Sequence, residues 1–292
     1  MKKKFRIFIL FSLGFMMCSL ISYSQDTDST GKKEKDTRPV RAPFENGLLM
    51  DNQTVILPTV HSLEFVIQHR FGKLNSNTFD LIGLYAPSNI RLGLNYTLTD
   101  YLQIGIGSTK TNKIQDINWK WRILQQTRSG NIPVALTYYG NVEISVREKE
   151  SFGQDYAFLQ RLSYFHQLII GHRFGHRLSL QLLTEYSHFN QIDTIAYKGL
   201  KHDNLAVSLD GRFKVRPQLN IIFSGDKQLT TPEEIKPNVS LGIEIVTSSH
   251  AFQIFVGTYN KISPQDNLTF NTNDFTSKDI LLGFNITRLW NF

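Results

Sequence analysis

From Val60 onward, apolar side chains recur at every second position, the period of a strand with one face in an apolar medium. Asn89–Thr99 sets Ile90, Leu92, Leu94, Tyr96 and Leu98 against Arg91, Gly93, Asn95 and Thr97. Ile114–Leu124 sets Ile117, Trp119, Trp121 and Ile123 against Asn118, Lys120 and Arg122. Leu205–Val215 sets Leu205, Val207, Leu209, Phe213 and Val215 against Ser208, Asp210, Arg212 and Lys214. The last stretch, Lys278–Phe292, carries Ile280, Leu282, Phe284 and Ile286 on one face, then Trp290 and Phe292. About twelve such strands follow one another, and helical periodicity is nearly absent. Most exceed the ~5–6 residues of an ordinary globular strand and reach the ~9–11 that cross a bilayer.

The connections sort by parity. Counting strands from Val60, the odd-to-even links are long: Gly72–Ser88, Arg147–Asp155, Asn190–Asn204, Leu229–Asn238 and Asn260–Ser277. The even-to-odd links are short: Asp100, Gln125–Asn131, Phe174–Arg177, Arg216–Gln218 and Ser248–Ala251. Only Thr109–Lys113 is short on the long side. Long outer loops and short periplasmic turns are the pattern of an outer-membrane barrel. A soluble β-sandwich, the alternative, needs a partner sheet for every apolar face and does not sort its loops. The expectation is therefore an all-β chain: a single antiparallel up-and-down transmembrane barrel of about twelve strands over residues 59–292.

Residues 1–24 read as a signal peptide. Lys2, Lys3, Lys4 and Arg6 precede an apolar run from Ile7 to Ile21, and small residues stand before a cut at Gln25. Residues 25–58 read as a flexible polar lead whose last part, with turn signals at Asn46-Gly47 and Asp51-Asn52, is either a short helix or a plug-like segment before the first strand. Cleavage removes four of the 32 basic residues and none of the 25 acidic ones, so the formal charge falls from +7 to +3. The basic balance is thus largely a targeting feature, and nucleic acid is not an expected partner. The single cysteine, Cys18, leaves with the signal, so no disulfide is expected in the mature chain. Mean hydropathy is −0.22, which excludes a helical membrane bundle but not a barrel, whose strands alternate.

The closing strand, with its terminal Phe292, resembles the last strand of bacterial outer-membrane barrels. That resemblance implies recognition by the barrel-assembly machinery. His69-Arg70-Phe71-Gly72, Asn89-Ile90-Arg91-Leu92-Gly93-Leu94-Asn95-Tyr96, Thr99-Asp100 and Lys120 to Gln126 resemble an uncharacterised family of outer-membrane β-barrels from Bacteroidota. The resemblance covers most of the mature chain. It implies fold and location and carries over no catalytic residue. The recurrence of His-Arg-Phe-Gly at His172–Gly175 falls at the opposite end of the barrel, so it is no duplication.

If the apolar faces meet outer-membrane lipid, Tyr96, Tyr101, Trp119, Trp121, Trp290 and Phe292 are candidates for interfacial girdles. The opposite faces line a lumen with Arg70, Arg91, Lys120, Arg122, Arg161, Arg173, Arg212 and Lys214. Against these stand Glu64, Glu143, Glu185, Asp210 and Glu244. Cations lead, which points to small polar or anionic solutes passing passively or through a gate. Equally, the charges pair and fill the interior, giving a closed structural or partner-docking barrel with its outer loops as contact surface. Twelve strands give a backbone diameter of roughly 24 Å, which suits small solutes and not a wide channel. A lipid-modifying enzyme is the third reading. However, Ser163 and His166 differ in parity, Ser187 and His188 are adjacent, and no nucleophile elbow is present. The eight histidines form no metal spacing, and no cofactor is expected.

Overall fold

Alternation fixes which face each strand presents, and closure removes the unpaired edges that an open sheet would leave. The computed structural model describes residues 36–74, 85–193 and 195–292. Residues 1–35, which hold the expected signal peptide and the first part of the polar lead, and residues 75–84 of the first long loop lie outside the described residues.

Two short strands come first, β1 (Leu48–Leu49) and β2 (Asn52–Gln53), paired as a hairpin. Then come β3 (Ser62–Lys73), β4 (Asn89–Thr99), β5 (Leu102–Thr109), β6 (Ile114–Leu124), β7 (Ala135–Ser145) and β8 (Leu162–Phe174). They continue as β9 (Leu178–Phe189), β10 (Asp203–Arg216), β11 (Leu219–Gln228), β12 (Val239–Val246), β13 (His250–Gly257) and β14 (Leu281–Asn291). One short helix, α1 (Pro264–Phe270), interrupts the last long loop. Strands β3 to β14 form a closed barrel in which each pairs with its sequence neighbours. The seam is antiparallel, with Ile286 opposite Ile67 and Trp290 opposite Leu63. The twelve-stranded antiparallel barrel read from the sequence is the barrel observed.

The link Arg147–Asp155 read from the sequence would start the next strand, β8, at Tyr156, but β8 starts later. The polar stretch before it forms two 3₁₀ turns, Lys149–Phe152 and Phe158–Arg161, and the ladder starts only at Leu162.

The outward face is apolar. Ile106, Ile117 and Leu241 are each more than half exposed, and Leu92, Leu182, Leu209 and Ile254 share that face. A glycine faces outward where an aromatic ring needs the room. Gly140 stands opposite Trp119, and a Cβ there would lie 2.3 Å from the indole. Gly140→Val therefore pushes a rigid ring off its seat. The expected loss is about 1–3 kcal/mol, the usual effect of overpacking, read as a lower unfolding temperature in detergent micelles.

Candidate functional site

The interior is the site to examine, because the described chain folds into it from both ends. Call the end with short connections the turn end and the other the loop end. The chain enters at the turn end, where Val40 N–H donates to Gln126 O (2.9 Å) and Arg128 N–H to Arg38 O (3.0 Å). Arg173 holds the carbonyls of Arg41 (3.0 Å) and Ala42 (3.2 Å). The hairpin β1–β2 then rises inside the barrel, and residues 54–61 return to the turn end to begin β3.

Burial of an apolar face drives this insertion. Phe44, Leu49, Met50 and Val55 of the hairpin pack with Ile169, Leu183, Ile222, Phe255 and Ala135 of the wall. All are inward positions that a purely polar lumen would not contain. Polar groups then fix the hairpin's register. Lys120 Nζ donates to Gly47 O (2.7 Å), Arg122 to Leu57 O (2.9 Å) and Gln253 Nε2 to Leu48 O (3.0 Å). Arg212 and Lys214 pair with Glu45. Arg70, 1% exposed, pairs with Asp51 at the hairpin tip (2.8 Å) and stands over Phe255. Asn46 donates to Glu244 (2.8 Å) and Asn52 to Asp210 (3.0 Å).

From the loop end, α1 descends. Ser263 caps it, accepting from Asp266 N–H, and Pro264 occupies its first turn, both standard start signals. Leu268 packs on Tyr139, Phe165 and Ala206 inside the barrel. Ser263 donates to Glu143 (2.8 Å), Gln265 to Asn141 (3.1 Å), and Thr269 meets Ser187 (2.9 Å). The hairpin tip and the helix face one another across a cavity of about 20 Å³ lined by Asp51, Asn52, Asn267 and Leu268. Space of that size holds about one water molecule.

Of the thirteen lumen candidates, Arg173 holds the entering chain through the Arg41 and Ala42 carbonyls. Arg70, Lys120, Arg122, Arg212, Lys214, Asp210, Glu143 and Glu244 reach an insert. Arg91 pairs instead with the wall residue Asp116 (2.7 Å), Glu64 accepts from Asn95 and Gln103, and Glu185 accepts from Gln167. Arg161 is the exception. It sits on the 3₁₀ turn before β8 at the loop end, where it holds the carbonyls of Ser145 and Arg147 and lies over Phe152. Its position follows from the late start of β8. Asp116 and Asp226 also point inward. The wall therefore carries seven inward acids (Glu64, Asp116, Glu143, Glu185, Asp210, Asp226, Glu244). Seven bases match them (Arg70, Arg91, Lys120, Arg122, Arg173, Arg212, Lys214). The cation excess read from the sequence is lost, and with it the electrostatic case for anions along the lumen.

Tyr96, Tyr101, Trp119, Trp121, Trp290 and Phe292 all lie toward the turn end, on or beside β4, β6 and β14. Tyr101, Trp121 and Phe292 are exposed, Tyr96 hydrogen-bonds His61, and Arg288 stacks on Trp290. Ser163 and Ser187 point inward whereas His166 and His188 point outward, so neither pair can act as nucleophile and base. Among the described residues no group of His, Cys, Asp or Glu is arranged to hold a metal, and no helix is long and apolar enough to cross a membrane.

The helix carries a titratable contact. Burial pushes the Asp266 carboxyl up, against the lowering effect of Lys261, Asn112 and Arg147. A carboxyl with a higher pKa docked than undocked binds its proton more tightly when docked. Acid thus favours the docked helix, and docking weakens as pH rises through the raised value, above the ordinary Asp range near ~3.9. Protease protection of residues 264–270 is expected to fall with rising pH, and Asp266→Asn to flatten the profile.

A closed barrel with an apolar outside and a filled polar inside is the class of protein this geometry defines. The chain belongs to the membrane-bound beta barrel domain family DUF5777, whose model matches residues 44–290. The match takes in the hairpin as well as the wall. No curated protein matches the sequence. Among solved structures, an outer membrane channel from Pseudomonas putida F1 is 12% identical over 80% of this chain and 97% of its own, with a TM-score of 0.48. NanC porin is 6% identical over 79% of this chain and 99% of its own, TM-score 0.48. LpxR from Salmonella typhimurium is 14% identical over 79% of this chain and 100% of its own, TM-score 0.38. These likenesses are too remote to speak for function.

Proposed function

We propose that the protein is a gated outer-membrane channel for a small polar solute. The observation behind this reading is the nature of the obstruction. Two separate inserts from the same chain fill the lumen, and several wall positions against them are short: Ala135, Thr137, Ser163, Ser187 and Ala206. Wall side chains alone fill the interior of a barrel of about eight strands, and a wider barrel leaves room for a channel or a plug.

In this reading residues 1–24 direct export and are removed, and the strand ending at Phe292 is the segment handed to the barrel-assembly machinery. The turn end then faces the periplasm, and the outward aliphatics meet lipid. The reading is non-enzymatic. Single-channel recording on the full-length protein tests it: brief openings from a closed baseline are expected. A folded protein that stays silent, and stays silent after both inserts are removed, ends the reading.

A further inference from the structure

Above α1, at the loop end, lies a cavity of about 340 Å³. It falls within the ~300–1,000 Å³ range of small-molecule sites. Phe270 and Asp266 of α1 help line it, together with Phe189, Gln191, Tyr197, Arg147 and Lys261.

Three features of the lining point to one kind of ligand. First, Lys261 and Arg147 keep donors free, whereas two of the three lining carboxylates and the third cation, Arg161, are engaged. Lys261 makes no hydrogen bond or ion pair among the described residues. Arg147 spends only Nε, on Ser145, and rests its guanidinium over Phe152. On the acidic side, Asp193 accepts the backbone N–H groups of Ile195 (3.0 Å) and Ala196 (2.9 Å), and Glu143 accepts from Ser263. Asp266 is the one carboxylate facing Lys261 and Arg147, and Asn112 donates to it (3.4 Å). Second, Gln191 Oε1 is buried without a partner, while its Nε2 donates to Phe152 O. A buried acceptor of this kind suits a hydroxyl donor. Third, Phe270 meets Phe189 edge-on at 4.9 Å and Tyr197 at 5.0 Å, which makes an aromatic wall for the C–H face of a ring.

We infer that this cavity binds a monosaccharide-sized sugar acid, with its carboxylate at Lys261 and Arg147, a hydroxyl on Gln191 and its ring face against Phe270 and Tyr197. The inference rests on the gated-channel reading for its purpose, since the ligand's floor is the helix that blocks the lumen. Its binding is a separate matter and is tested separately.

The experiment is calorimetric titration of the full-length protein in detergent with D-glucuronate, D-glucose and acetate. Glucuronate is expected to bind saturably. Glucose, without the charge, and acetate, without the ring, are expected to bind about tenfold or more weakly, as the loss of a charge-assisted hydrogen bond implies. Lys261→Gln is expected to weaken glucuronate by a similar factor and to leave glucose unchanged. Tyr197→Ala is expected to weaken both sugars and leave acetate unchanged. The inference is overturned if glucuronate fails to saturate, if acetate binds as well as glucuronate, or if both variants bind like the parent. Should glucuronate fail while the barrel without its inserts still conducts, the site falls and the gate stands. Should it bind while that barrel is silent, the gate falls and the site stands.

Discussion

Removing both inserts turns a closed barrel into a steady conductor. The variant lacks the hairpin, with residues 43–58 replaced by a short linker, and carries Gly and Ser in place of Pro264–Phe270. The wall ladder from β3 to β14 uses none of these residues, so the barrel itself is expected to fold. Each insert blocks from its own end, so either deletion alone is expected to raise conductance only partly. Together they expose a lumen roughly 24 Å across at the backbone, in which Lys120, Arg122 and Arg212 lose the hairpin groups that hold them across it. Planar-bilayer recording checks this. A double deletion that keeps its β-sheet spectrum and passes no current shows that the wall closes itself.

Arg70→Met is expected to release the hairpin. The guanidinium donates to Asp51 (2.8 Å), to Asn285 Oδ1 (3.0 Å) and to His69 O (2.8 Å), in a site 1% exposed. Methionine keeps much of the bulk and leaves Asp51 without its cation. Removing one partner of a buried ion pair costs about 3–5 kcal/mol. Asp51 belongs to the hairpin and the wall keeps its own ladder, so the loss falls on docking and not on the barrel. The docked population then drops by ~2 to 3.5 orders of magnitude relative to the undocked one. Protease cleavage within residues 43–58 and channel openings should both become frequent. The double variant Asp51→Leu with Arg70→Met is expected to regain most of the protection, because no buried charge remains. Unchanged protection in the single variant, or a double variant as open as the single, contradicts this account.

The outward face was legible residue by residue. Leu92, Leu94, Ile104, Ile117 and Ile254 alternate with polar neighbours, and that local pattern already specifies a strand and its apolar side. The inserts were harder to read. Val66, Ile169, Leu183, Ile222 and Phe255 are apolar residues on the lumen side, and each breaks the alternation of its strand. Ile169, Leu183, Ile222 and Phe255 are the seat of Phe44, Leu49 and Met50, and in sequence all five look like noise in the pattern. Seven residues are too few to show a helical period, and the cap at Ser263 with Pro264 behind it does not say that the helix points into a lumen. Glu45 and Asp51 lie outside the barrel strands, so the period-two pattern assigns them no face.

What the sequence determined by itself is the wall: strand count, parity of the connections and the face turned outward. Period two is a property of neighbouring residues, so no partner needs to be known. What fills the wall was decided only in three dimensions. Gln253 reaches Leu48 and Asn285 reaches Met50 across 205 and 235 residues of chain. Contacts at that separation leave no periodic trace. They exist because the barrel's closure brings the two ends of the sequence into one cylinder.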